Sequence, residues 1–199
     1  MGGSITRESL LTLEAYARAR SEFRTKVLAH KRDRTLRLGD HVTLIFEDEL
    51  TVRYQIQEML RIEKTFEDRG IQDELDAYVP LIPDGTNLKA TMMIEYEDAE
   101  VRKTQLSRLR GIENCVYAHV DGDARVHAVA DEDLPRANAD KTSAVHFLRF
   151  EFTPPMITAL KQGSALALGV DHPSYSVPMH EVAAQVRASL ARDFASAAA

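Results

Sequence analysis

One cysteine, Cys115, stands in the 199 residues, so no disulfide can form within the chain. The same scarcity excludes the multi-cysteine zinc and iron–sulfur signatures. No window approaches the roughly 18 consecutive apolar residues of a membrane span. The opening MGGSITRESL lacks the apolar run of a secretory signal. Together with the lone cysteine, this leads to the expectation of a protein of the reducing cytoplasm. Neither GxGxxG nor GxxxxGK[ST] occurs, which removes the usual dinucleotide and P-loop fingerprints, and there is no GxSxG nucleophile elbow. The seven histidines (His30, His41, His119, His127, His146, His172, His180) form no HxxxH, HExxH or ExxH pair. Cys115 itself lies in the apolar run CVYAHV and reads as packing rather than as a nucleophile.

What is present is a charged, moderately apolar chain: 44% hydrophobic, 28% charged, with a formal net charge of −6. The length suits one domain or two small ones. Charge is uneven. Residues 1–40 carry nine basic and five acidic side chains, whereas residues 41–100 carry five and fifteen. A basic arm beside an acidic middle predicts that the two face each other, within one chain or across a homodimer. Residues 18–37 hold eight basic side chains against Glu22 and Asp33. That segment is the one argument for a nucleic-acid-binding regulator, and the negative whole-chain charge weighs against it.

Hydrophobic periodicity then sets the elements. Ser4 or Thr6 caps a first helix through Leu10, Leu13 and Ala17, and Ser21 caps a second through Phe23, Val27 and Leu28. From Leu36 the period becomes two, giving a hairpin about Gly39-Asp40 or one bulged strand, with the hairpin preferred. Thr51 opens a helix whose apolar side carries Val52, Ile56, Met59, Leu60 and Phe66, with Glu63 among them, and Gly70 stops it. A short helix over 71–79, a strand over 89–96, and a helix over 98–110 follow. A hairpin about Asp121-Gly122-Asp123 comes next, then a polar loop over 131–141 expected to be mobile. A strand over 145–152, a helix from Pro154 to Gln162 and a buried strand over 165–170 complete the middle of the chain, with one crossover fitting between Val145 and Val170. A last helix is expected from about Met179 to Phe194, ahead of a fraying alanine-rich tail. The order predicts a single α+β domain: an N-terminal helical arm (1–34), then an α+β core (35–195) on a mostly antiparallel or mixed sheet of about six strands covered by helices.

Three blocks carry a resemblance: GDHVTLIFEDELTVRYQIQEMLRIE (39–63), IQDELDAYVPLIPDG with NLKATMMIEY (71–96), and HFLRFEFTPPMITALKQGSALALGVDHPSY (146–175). They resemble a bacterial domain family of unknown function, number three thousand five hundred and one, over residues 4–192. QIQEML and GVDHP are the most specific parts. The family is typically encoded beside a rubrerythrin-like protein and an iron–sulfur oxidoreductase. The resemblance therefore implies a place in iron or peroxide metabolism, with one of those proteins as a partner, and carries no catalytic residues.

Three places offer chemistry. Tyr54, Gln57, Glu58 and Arg61 fall on one helix face, either as an ordinary solvated face or as a preorganised polar pocket. Glu63, placed by spacing on the apolar side, must be paired, protonated or ligated. On the sheet, Glu95, Arg149 and Glu151 leave the face opposite Phe150. Finally, Asp171 precedes His172 and Pro173 at a strand end, where Asp171 can orient the His172 ring or simply make a turn. An iron or manganese site assembled from Glu58, Glu63, Glu95 and His172 needs no local motif. His146, on the aromatic strand face, reads instead as a satisfied core histidine. The leading expectation is an accessory or binding protein. The alternative is a small-molecule or metal-dependent enzyme centred on Glu58, with Glu95, Asp171 and His172 contributing to its pocket.

Overall fold

The computed structural model describes residues 5–133, 136–138 and 140–195. Ser4 and residues 196–199, where a cap and a fraying tail are expected, lie outside them, as do Leu134, Pro135 and Ala139 of the polar loop.

The chain opens on a short turn over Arg7–Ser9 and then forms one helix, α1 (Leu13–Arg32), capped by Thr12. The two separate N-terminal helices of the sequence reading are thus one. Ser21 sits inside it, with no break in the backbone ladder to cap. A tight turn at Gly39-Asp40 joins β1 (Thr35–Leu38) to β2 (Val42–Phe46) as an antiparallel hairpin. Gly39 has φ +68, and a Cβ there would meet the Tyr175 hydroxyl at 2.6 Å, so both conformation and space require glycine.

Helix α2 (Glu49–Glu63) is closed at its start by an Asp48/Thr51 capping box. It ends at Lys64 in the left-handed conformation, not at Gly70, which lies within α3 (Asp68–Tyr78). Strand β3 (Asn87–Ile94), helix α4 (Ala99–Arg108) and strands β4 (Val116–Val120), β5 (Arg125–His127), β6 (Val129–Ala130) and β7 (Val145–Glu151) follow. Helix α5 (Pro154–Lys161), strands β8 (Leu166–His172) and β9 (Tyr175–Glu181) and helix α6 (Ala184–Leu190) complete the fold. The expected helix from Met179 is instead an edge strand as far as Glu181. Pro178 is tolerated there because an edge strand need not donate every amide.

The class is α+β, and the pairing is wholly antiparallel. The strands form two sheets rather than one of about six: β1-β2-β3-β7-β6 and β5-β4-β8-β9. The chain changes sheet three times, through α4 between β3 and β4, across the buried Ala128 between β5 and β6, and through α5 between β7 and β8, so α5 is a passage between sheets and not a crossover within one. Inward residues of both sheets share one core, with Leu38, Leu44, Phe46, Met92, Leu148 and Phe150 from the first and Val116, Ala118, Leu168 and Val170 from the second. A second, smaller core of Ile5, Val52, Ile56, Leu60 and Leu75 joins the N-terminal segment to α2 and α3. No helix among the described residues is long and apolar enough to cross a membrane.

Charge complementarity is satisfied inside this frame. Arg34 is 1% exposed. It donates to the carbonyls of Phe46 (2.9 Å) and Glu47 (3.0 Å), pairs with Asp193, and lies 3.5 Å from Asp48, which also receives His30. Burial opposes the charge on Asp48, but Arg34, the Thr51 amide and His30 together hold its carboxyl below the ordinary value. The basic arm thus meets the acidic middle within one chain, and Arg34 is withdrawn from any basic surface.

Candidate functional site

Helix periodicity places Glu58 on the α2 face that meets α1, and that contact decides its chemistry. Its carboxylate accepts the Tyr16 hydroxyl (2.6 Å), two bonds from Arg20 (2.7 and 2.9 Å) and one from Arg61 (3.2 Å). Four donors fill the lone-pair sites of a carboxylate. The hydrogen-bonded Arg20 guanidinium outweighs burial and, with Tyr16 and Arg61, holds the Glu58 carboxyl down at about 2. Burial and the same carboxylate push the Tyr16 phenol up, so it remains a donor. Tyr54 leaves this cluster and meets Phe23 edge-on, with ring centres 6.0 Å apart.

Gln57, 2% exposed, also turns to the N-terminal segment. Its Oε1 accepts the Leu11 amide (2.8 Å) and its Nε2 donates to the Leu11 carbonyl (3.2 Å), a two-point hold on the chain ahead of α1. On this face Gln57 is buried, whereas Glu58 and Arg61 are half-buried, with all four lone-pair sites of Glu58 engaged by protein donors. That face is the frame that fixes residues 10–13 against α2.

That frame encloses a different feature. Leu10, Leu11, Leu13, Leu60, Phe66 and Ile71 line a cavity of about 440 Å³ between the N-terminal segment and the α2–α3 corner. At its rim Leu11 and Phe66 are 44% and 72% exposed. The sequence reading buried Phe66 and Glu63 on the apolar side of α2. Both are exposed: Glu63 is the last residue of the helix, and Phe66 lies beyond the left-handed turn at Lys64. Glu63 is thereby relieved of any need for a buried partner.

The remaining expected site residues are dispersed. Glu95, exposed at the end of β3, accepts the Thr43 hydroxyl (2.6 Å) and lines an open cleft of about 810 Å³ with His41 and Tyr96. Asp171 and His172 point to opposite faces of β8, as neighbours on a strand must. Asp171 pairs with Arg125 at 3.2 Å. The His172 ring accepts the Ser174 amide at Nδ1 (3.1 Å) and donates from Nε2 to the Arg110 carbonyl (3.1 Å), so it staples the β8–β9 turn without help from Asp171. Both ring nitrogens are thus occupied, and Glu58, Glu63, Glu95 and His172 are not brought together. Among the described residues, no group of three or more His, Cys, Asp or Glu side chains is arranged to hold a metal ion. Cys115 packs against the core, and burial pushes its thiol up, away from the thiolate a nucleophile needs.

His146 is fully buried. Nδ1 faces Asp131 (2.6 Å), and Nε2 faces the Ser143 carbonyl (3.1 Å) and the Thr142 hydroxyl (2.9 Å), which itself donates to Glu113 (3.0 Å). Asp131 also accepts the Phe147 amide (3.0 Å), so the start of the expected mobile loop is pinned to β7.

Two antiparallel sheets around one core, with a helical layer and an apolar pocket at its corner, define an α+β protein. The chain belongs to the family described as protein of unknown function, DUF3501, which it matches over residues 4–194. It is similar to a novel protein of unknown function from Burkholderia pseudomallei, solved by crystallography: 54% identity, 97% of this chain and 100% of that chain covered, TM-score 0.93. No curated protein matches it.

Proposed function

We propose that this protein is an accessory docking module, and that its working surface is the apolar pocket at the α2–α3 corner. The observation that carries the reading is the exposure of Leu11 and Phe66 (44% and 72%) at the mouth of a leucine-lined cavity. Apolar side chains concentrated in this way, around a concavity, favour association with another protein. Residues 63–76 surround it with six acidic side chains against two basic. The partner segment this fits is an apolar anchor flanked by basic residues. The family's gene company supplies the partner to try first, a rubrerythrin-like or iron–sulfur protein, which would set the module in iron or peroxide metabolism.

The reading is tested by mixing the protein with each of those two partners and measuring complex mass by light scattering. A complex with one of them is expected, lost in the Leu11→Ser, Phe66→Ser double variant. Should the protein alone be a dimer that the same variant dissolves, the pocket belongs to a second copy of the chain and the partner reading falls.

A further inference from the structure

A second concavity lies on the other side of α2, between that helix, α3 and the outer face of the five-stranded sheet, and it contains a buried charge. Antiparallel register puts Ile45, Thr91 and Phe147 side by side on that face, with Met93 and Val145 in the next row. Alternation along β2 (Thr43, Ile45, Glu47) carries Glu47 onto the same face at the strand end. Glu47 is 8% exposed. Its Oε2 accepts the Thr51 hydroxyl (2.5 Å) and its Oε1 the Thr91 hydroxyl (2.6 Å). The Thr51 hydroxyl accepts the Asp48 amide (2.9 Å), and its single proton faces Glu47 at 2.5 Å more closely than the Asp48 carbonyl at 3.1 Å. The arrangement therefore suits an ionised carboxylate that accepts on both oxygens.

Two neutral donors fill only half of a carboxylate's lone-pair sites. Among the described residues Glu47 makes no ion pair. Burying such a group without a cation is costly. It opens on a cavity of about 290 Å³, which Lys31, from the last turn of α1, also lines without an ion pair of its own. Tyr78, Leu81, Met93 and Phe147 form the apolar remainder of the wall.

We propose that this cleft binds a small zwitterion of the α-amino-acid type, its ammonium received by Glu47, its carboxylate by Lys31 and its apolar side chain by Tyr78, Leu81 and Phe147. A cation alone would leave Lys31 unmatched and an anion alone would leave Glu47 unmatched, whereas a zwitterion satisfies both. The volume sits at the small end of the range for ligand pockets, about 300–1,000 Å³, which suits a compact ligand. Leu81 and Phe147 also line an adjoining cavity of about 580 Å³, leaving room for a long side chain. This site is separate from the α2–α3 corner and stands or falls independently of the docking proposal.

The probes are L-phenylalanine and L-leucine, with L-phenylalaninamide (no carboxylate) and N-acetyl-L-phenylalanine (no ammonium) as controls, titrated into the full chain by calorimetry and NMR. Saturable binding of at least one free amino acid is expected, with affinity at least tenfold weaker for each control. Glu47→Gln is expected to weaken the amino acid and the amide at least tenfold, and Lys31→Met to weaken the amino acid and the N-acetyl compound similarly. Lys31 is only half-buried, so that variant reports even where Glu47→Gln disturbs the fold. Absence of saturable binding by both amino acids, or undiminished binding in folded Lys31→Met, overturns the proposal.

Discussion

Glu58 does work that an exposed helix pair cannot. An exposed i,i+3 pair with Arg61 is worth about 0.2–0.5 kcal/mol. Here the same carboxylate also receives Tyr16 and Arg20 from α1 and is 12% exposed. Glu58→Gln removes the charge those donors converge on, and a loss of about 1–3 kcal/mol is expected in urea unfolding. The effect depends on pH with a definite sign. The folded carboxyl titrates at about 2 against an ordinary value of 4.5. Its contribution is therefore full above pH 4.5 and is lost as pH falls toward 2. The stability gap between wild type and Glu58→Gln is expected to be constant from pH 7 to 5 and to close below about pH 4, and a gap that persists unchanged at pH 2.5 contradicts this. Arg34 is the stricter case. Arg34→Met strands Asp193 and Asp48 and two strand-end carbonyls, and a loss of about 3–5 kcal/mol is expected in the same assay. The helix face of Tyr54, Gln57, Glu58 and Arg61 was legible in the sequence, but its meaning was not. Periodicity says which side chains share a face and nothing about what α1, some 40 positions earlier, brings to meet it.

At the scale of elements, the clearest joint is the β1–β2 turn. Tyr175 of β9, in the other sheet, donates to the Leu38 carbonyl (2.6 Å) and accepts the His41 amide (3.0 Å), so one hydroxyl closes the turn and ties the sheets together. Gly39→Ala forces a side chain into positive φ and against that hydroxyl, and a loss of about 1–3 kcal/mol is expected by thermal unfolding. Tyr175→Phe, which removes the bonds but keeps the ring, is expected to cost about 1 kcal/mol. The hairpin itself was readable, since Gly-Asp between alternating apolar runs is local information. The β9 strand was not. Tyr175, Val177 and Met179 do alternate, but Pro178 stands among them and most of the side chains are exposed, so the segment does not look like a buried strand. Phe66 failed for a related reason: the apolar stripe of α2 continues in the sequence past Lys64, where the backbone leaves the helix, and Glu63 is the last, exposed residue of that helix.

Across the whole molecule, sequence alternation identified most strands but could not partition them between sheets. The residues of β3, β4, β7 and β8 are all consistent with one buried sheet, and only long-range pairing divides them in two. The same limit hid Lys31 and Glu47 as a pair, because they are brought to one cavity by α1 and β2 folding onto a common face. The proposed docking surface was missed because exposed apolar residues look like core residues until the fold shows which were left outside. Its test is direct. Light scattering of this protein mixed with the rubrerythrin-like protein, and separately with the iron–sulfur oxidoreductase, is predicted to give a complex with one of them. The Leu11→Ser, Phe66→Ser variant, whose own stability should shift by no more than about 0.5 kcal/mol per exposed site, is predicted to weaken that complex by more than about tenfold, or 1.4 kcal/mol. Summed monomer signals for both wild-type mixtures, or a complex equally strong with the variant, would contradict the account.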